Sequence, residues 1–211
     1  MNFQATSLRY SHDAMGPVAR AIKRGGDFIL ATLGLILLSP LFLVISVAIL
    51  LQRNGSIFFS QERIGYGGKP FRIYKFRTMS SVVEDEGPQL IAQSDDGKST
   101  RTERFLREHH LDELPQLWNV VKGDMSFVGP RPERKYFIDK IMEHTADYPL
   151  VYQMKPGLTS EATIYNGYTD TMEKMLKRLD MDIRYLENRT IGMDIKILFN
   201  TLYILLRGKK I

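Results

Sequence analysis

Two carboxylates stand side by side before a proline in Leu111-Asp112-Glu113-Leu114-Pro115-Gln116. Proline is costly inside a helix but tolerated in the first turn, where its missing N–H would have no partner anyway. The hexapeptide therefore predicts a helix start, with Asp112 near the N-cap and Glu113 in the first turn. Such an end presents free N–H groups and partial positive charge, which suit a phosphate. The plainer reading makes Asp112 a helix cap and Glu113 a dipole contact. Context adds chemistry. Arg107 lies about one and a half turns upstream, Asp124 follows the helix, and Arg131 is fixed between Pro130 and Pro132. The guanidinium fork matches phosphate oxygens two at a time. Two carboxylates among arginines suggest a Mg²⁺ site or a carboxylate nucleophile. Taken singly, Arg107 reads as a surface ion pair and Arg131 as a loop charge.

A second basic group, Arg63, Lys75 and Arg77, falls among Phe71, Tyr74 and Phe76. Such interleaving could serve a nucleic acid, but the apolar segment described next makes a membrane-facing role more natural, and no nucleic-acid partner is expected. His109 and His110 would point about 100° apart on a helix, so they read as exposed rather than as joint metal ligands. The chain has no cysteine, which removes disulfides, Cys-ligated zinc and thiol catalysis together and fits a domain facing the reducing cytosol. The net charge of +5 suits an anionic surface or a phosphorylated substrate and does not choose between them.

At 211 residues the chain is long enough for one compact domain with appendages. From Phe28 to Leu51 no charge occurs over about 24 residues, about 36 Å as a helix; a bilayer core needs about 20 residues. The run is too long for a signal-peptide core, and no small-residue cleavage site follows it. Ser39-Pro40 falls near its middle, where proline removes a backbone hydrogen bond and the serine hydroxyl can satisfy a freed carbonyl, so a sharp break is expected. A kinked span would put the two ends on opposite sides; a re-entrant hairpin would return both to one face. Arg20, Lys23 and Arg24 upstream nearly balance Arg53, Arg63 and Lys69 downstream, which fits two cytosolic ends.

Residues 1–19 carry little signal and read as a flexible or surface-lying lead. Asn54-Gly55 marks a turn, and segments 57–59 and 71–76 read as strands of a hairpin across the 65–70 loop. The polar, acidic stretch 80–100 reads as a mobile loop. Thr102–Glu108, the segment from Leu114 to Val121 ending at Gly123, Glu133–Met142 and Thr171–Glu187 read as helices. Met193–Leu206 is apolar on more than one face and too short to span. It reads equally as an interfacial helix with a basic Lys209-Lys210 tail or as a core helix.

Ordered blocks now accumulate: Lys23-Arg24 with Asp27; Ser39-Pro40; Gln61-Glu62-Arg63-Ile64-Gly65; Tyr74-Lys75-Phe76-Arg77-Thr78-Met79; Arg104-Phe105-Leu106-Arg107; Leu111 to Leu117; Lys122-Gly123-Asp124-Met125-Ser126; Val128-Gly129-Pro130-Arg131-Pro132; and Lys155-Pro156-Gly157-Leu158-Thr159. Each is weak alone. In this order and spacing, from Lys23 to Leu206, the chain resembles the bacterial sugar transferases, the monotopic phosphoglycosyl transferases that start glycoconjugate assembly on a polyprenol phosphate.

The resemblance implies an α+β, mostly helical fold. It divides into a lead (1–22), a re-entrant membrane helix broken at Ser39-Pro40 (23–52), and a cytosolic catalytic domain with a short β-hairpin and interfacial amphipathic helices (53–211). It implies a bacterial inner-membrane enzyme that moves sugar-1-phosphate from a UDP-sugar to polyprenol phosphate and releases UMP. Asp112 would be the nucleophile, forming a phosphosugar-aspartyl intermediate. Glu113, with Asp124, would hold Mg²⁺. Arg107, Arg131 and Pro132 would bind phosphate or nucleotide, with Lys75 and Arg77 beside them. Membrane lipids are implied partners, and a homodimer is left open. A membrane-anchored Mg²⁺-dependent phosphatase and a non-catalytic scaffold of polysaccharide assembly are the alternatives. Thr159 to Tyr168 departs from the Gly-Leu-Ala-Gln-Val-type segment of many relatives, so the sugar is not inferred.

Overall fold

The computed structural model describes residues 11–52, 56–78, 100–167 and 169–207. The Asn54-Gly55 turn, nearly all of the acidic 80–100 stretch and the Lys209-Lys210 tail lie outside the described residues. The elements are α1 (Pro17–Leu37), α2 (Ser39–Gln52), β1 (Phe58–Ile64), β2 (Pro70–Phe76), α3 (Arg101–Glu108), α4 (Gln116–Lys122), β3 (Ser126–Val128), α5 (Lys135–Met142), β4 (Gly157–Thr159), α6 (Glu161–Asn166), α7 (Met172–Asn188) and α8 (Ile191–Leu206). Among the described residues 3₁₀ turns intervene at Tyr66–Gly68, Leu111–Glu113 and Tyr148–Gln153. The fold is mostly helical α+β with a short hairpin, as expected from the sequence.

Local chemistry sets these boundaries. Thr100 and Glu103 form a reciprocal capping box at the start of α3. Ser160, Thr171 and Thr190 cap α6, α7 and α8 through their hydroxyls. Gly123 closes α4 in the left-handed conformation at φ 89°. β1 and β2 pair antiparallel from Phe58 opposite Phe76 to Ile64 opposite Pro70.

α1 and α2 bend by 59° at Ser39-Pro40. Pro40 cannot donate to the Ile36 carbonyl, and the Ser39 hydroxyl donates to that carbonyl at 2.8 Å instead. No single described helix is long and apolar enough to cross a membrane; by length and composition alone, the bent pair taken together reaches that range. Both arms pack on the same body. Ala31 of α1 joins Ile73, Leu117, Val120 and Met125, while Ile45 and Ile49 of α2 join Phe76 and Leu106. A Cβ on Gly34 would lie 3.3 Å from Leu117, so α1 and α4 approach closely there. Arg24 donates to the Val120 and Val121 carbonyls at 2.6 and 2.8 Å, tying α1 to the last turn of α4. Asp27 accepts from the Ser126 hydroxyl at 2.7 Å.

The last residues of the N-terminal lead are anchored on the domain. α1 already begins at Pro17, and residues 11–16 dock against the domain. Met15 is buried, Ala14 N–H donates to the Leu186 carbonyl, and Asp13 receives both Nε and Nη2 of Arg189 at 2.6 and 2.5 Å. Its partners lie in α7 and beyond it, too far along the chain for local spacing to reveal. The largest core cluster combines α5, α7 and α8 with the Tyr148–Gln153 turn.

Candidate active site

The carboxylate pair sits on the 3₁₀ turn Leu111–Glu113, and α4 starts only after it, with Pro115 as its N-cap. Neither the turn nor α4 has a side-chain cap, so the expectation that Asp112 lies at the N-cap of the helix is corrected. A proline near a helix start is compatible with both arrangements; the extra 3₁₀ turn is what removes Asp112 from capping distance. His110 enters the turn at φ 53°, a left-handed conformation uncommon for a residue with a side chain and often found at functional sites.

The two acids are driven apart electrically. Asp112 is 8% exposed and makes no ion pair among the described residues. Burial raises its carboxyl to about 6, the nearby Glu113 charge adds to this, and Lys75 and Arg107 pull the other way. For Glu113, burial also pushes upward, but the Lys75 and Arg131 charges and the Lys75 hydrogen bond outweigh it and hold the carboxyl at about 2. Lys75 Nζ donates to Glu113 Oε1 at 2.5 Å. The pair thus offers one carboxylate locked in an ion pair and one buried and uncommitted.

Lys75 and Arg77 share a strand face because side chains alternate along β2. Arg77 N–H donates to the Ile57 carbonyl at 2.9 Å, which carries the hairpin one step past Phe76. Arg107, in the last turn of α3, donates to the Thr78 carbonyl just beyond it. Arg131 is exposed and unpaired among the described residues, and its charge reaches Glu113. The turn that carries it is held from below. Gly129 and Gly157 touch backbone to backbone, so a Cβ on Gly129 would fall 2.2 Å from the Lys155 carbonyl oxygen. The parallel β3–β4 pair thus fuses the Gly129-to-Pro132 and Lys155-to-Thr159 motifs into one platform. Pro132 is buried, and its carbonyl accepts from Arg63 at 3.3 Å; Glu133 lies between Arg63 at 3.7 Å and Arg178 at 3.3 Å.

Two expectations change. His109 is exposed, but His110 is half-buried beside Glu113 and Lys75, and burial pushes its imidazole down. Asp124 lies at the far end of α4, 3.0 Å from Lys122 and 3.3 Å from Asn119, and is not brought to Glu113. Ser39 and Pro40 sit at the bend between α1 and α2, apart from this cluster. Among the described residues, no three His, Asp or Glu side chains form a metal cage. The donor set fits a different arrangement: Mg²⁺ commonly takes one or two carboxylates together with substrate phosphates and water. Glu113, with Asp112 adjacent, can supply that protein share.

Lys75, Arg107 and Arg131 thus set their charges around the acid pair, on the body against which the bent apolar helix pair packs. The chain belongs to the bacterial sugar transferase family, whose sequence profile matches residues 18–208. It is 41% identical over 188 residues to the UDP-glucose:undecaprenyl-phosphate glucose-1-phosphate transferase of Escherichia coli (strain K12), covering 88% of this chain and 40% of that one. It is 38% identical over 192 residues to the UDP-N-acetylgalactosamine-undecaprenyl-phosphate N-acetylgalactosaminephosphotransferase of Aeromonas hydrophila, covering 91% and 45%. A UDP-glucose:undecaprenyl-phosphate glucose-1-phosphate transferase of Caulobacter vibrioides is 40% identical over 198 residues, covering 90% and 73%. The chain therefore spans less than half the length of the first two relatives.

Proposed function

We propose that this chain transfers sugar-1-phosphate from a UDP-sugar to a polyprenol phosphate at the cytosolic face of the bacterial inner membrane. The observation that carries the reading is Asp112, a buried carboxylate with no ion pair among the described residues, next to a second carboxylate that Lys75 has neutralised. In the first step an Asp112 oxygen attacks the phosphorus that bears the sugar. The bond to the bridging diphosphate oxygen breaks, and UMP leaves with the electron pair. In the second step a phosphate oxygen of the polyprenol phosphate attacks the same phosphorus and returns Asp112 as a carboxylate. Splitting the transfer suits a soluble donor and a membrane-held acceptor that need not be bound together. Arg131 and Arg107 hold the diphosphate, with Arg77 and Lys75 beside them, and the fixed cations stabilise charge as the bond breaks. Mg²⁺ entering with the donor, held by Glu113, would neutralise the diphosphate.

The bent pair supports a re-entrant anchor. Lys23 pairs with Asp194 at 2.6 Å near one end, and Gln52 donates to Thr102 at 2.7 Å at the other. A kinked span would carry the far end of α2 away from Phe76 and Leu106, which it instead packs against. Leu30, Leu33, Ile36, Leu37, Leu43, Val44 and Leu51 remain exposed for lipid to cover. On α8, Ile195, Phe199, Leu202 and Tyr203 are exposed while Asp194 and Ile197 are buried, which fits the interfacial reading.

The test is UMP release without acceptor. Wild-type protein with its UDP-sugar is expected to release one equivalent of UMP per enzyme, and Asp112→Asn none. The burst needs ionised Asp112, so its rate rises with pH through about 6. A normal burst from Asp112→Asn would remove Asp112 from the nucleophile's role.

A further inference from the structure

Lys75 reaches Glu113 from β2, which packs on α4 through Ile73 against Leu117 and Val120, and one polar side chain of α4 also bonds the strand's edge. Asn119 is fully buried on α4. Its Oδ1 accepts from Tyr74 N–H at 3.1 Å, and its Nδ2 donates to the Arg72 carbonyl at 2.6 Å. These two backbone groups lie on the edge of β2 away from β1, the one strand that β2 pairs with among the described residues. The carboxamide has the donor and acceptor of a peptide unit, so Asn119 stands in for one residue of a missing neighbouring strand. Its main-chain carbonyl accepts from Gly123, Asp124 and Met125, at 3.1, 3.0 and 3.2 Å, which fixes the same residue to the turn after α4. The next residue after Tyr74 is Lys75.

We propose that Asn119 is a positioning residue for the reaction centre, stapling the free edge of β2 so that Lys75 Nζ is delivered to Glu113. The proposal rests on the phosphoryl-transfer reading above, in which the Lys75–Glu113 pair leaves Asp112 as the uncommitted carboxylate. Asn119 touches neither acid and acts through the strand. Leucine at this position would fill similar volume but leave Tyr74 N–H and the Arg72 carbonyl without partners, so the strand edge would shift.

The experiment is a double-mutant cycle on the UMP burst of the full-length, membrane-embedded protein. Asn119→Ala and Asn119→Leu are expected to slow the burst by about 10- to 100-fold at temperatures well below their melting points, the scale of a small misplacement of a reacting group. In a Lys75→Met background, followed over hours, the same Asn119 substitutions are expected to change the rate by less than about twofold, because the group they position is gone. If Lys75→Met shows no burst at all, donor binding to Asp112→Asn protein is measured instead, and Asn119→Ala is expected to weaken it only where Lys75 is present. Equal fold losses in both backgrounds, or a wild-type burst from a folded Asn119→Ala protein, overturn the positioning role. A wild-type protein that gives no burst overturns the proposed reaction, leaving a different outcome from either.

Discussion

Asp112 is destabilised by the environment that makes it useful. Its folded-state pKa, about 6, stands above the ordinary 3.8 because burial of the carboxylate outweighs its backbone hydrogen bond and the Lys75 and Arg107 charges. The native state therefore binds the proton more tightly than the unfolded chain, and ionised Asp112 costs stability at every pH above about 6. That cost shrinks as pH falls through 6 and vanishes below about 4, where both states are protonated. Two pKa units correspond to about 3 kcal/mol at most. Asp112→Asn keeps the shape and removes the charge, so it is expected to be more stable than wild type by about 1–3 kcal/mol at pH 8 and no more stable at pH 4. Denaturant melts of the two proteins across that range check it; a gain that persists at pH 4 would assign the effect to packing. The residue types at this centre were legible from the acid pair, the proline and the arginines. The split between the acids was not, because Lys75 lies 38 residues from Glu113 and no local spacing announces their pairing. His110 was missed for a related reason: a left-handed backbone is usually signalled by glycine or asparagine, and here neither is present.

At the scale of elements, short pieces are held together by long-range polar contacts. α4 has seven residues, too few to stand alone, and is fixed by Arg24 from α1 and by Asn119 against β2. The N-terminal segment is fixed by the bidentate Asp13–Arg189 pair, in which both side chains are almost fully buried. Burial alone would raise the Asp13 carboxyl, but the hydrogen bonds from Arg189 and Met15 together bring it below 3.8. A depressed folded-state pKa contributes stability above about pH 4 that is lost as pH falls further. Asp13→Ala strands a buried guanidinium and is expected to cost about 3 kcal/mol at neutral pH. Asp13→Ala combined with Arg189→Met should recover most of that loss, since no buried charge is left unpaired and Arg20, which also reaches Asp13 at 3.2 Å, is half-exposed. Thermal melts of the two variants measure this; a double variant as unstable as Asp13→Ala would mean that the segment matters through packing rather than through the pair. The helices and hairpin were readable because caps, glycines and apolar spacing act locally. The docking of residues 11–16 was not, since its partners come from α7, the segment after it and the Tyr148–Gln153 turn.

For the whole molecule, the decisive quantity is the side of the membrane on which each end of the bent pair lies. An apolar run of this length is readable from sequence, and so is the Ser39-Pro40 break, yet neither separates a kinked span from a hairpin. Packing supports the hairpin proposed above. α1 reaches α4 through Ala31 and Gly34, α2 returns to Phe76 and Leu106, and a single rigid body cannot receive both arms from opposite faces of a bilayer about 30 Å thick. The absence of cysteine allows a clean test, because each introduced thiol is the only one in the chain. Gly16, with open space around its Cβ position, and Ser56, which is exposed, flank the pair. Gly16→Cys and Ser56→Cys are both expected to resist an impermeant maleimide applied to spheroplasts and to react once the membrane is opened. Labelling of one site in intact spheroplasts and protection of the other would establish a span and separate α2 from the domain it is packed against. In the proposed arrangement, with both ends on one face, the tip of the pair alone would enter the hydrocarbon, and Asp112 would be held at the headgroup plane, within reach of a lipid-linked phosphate.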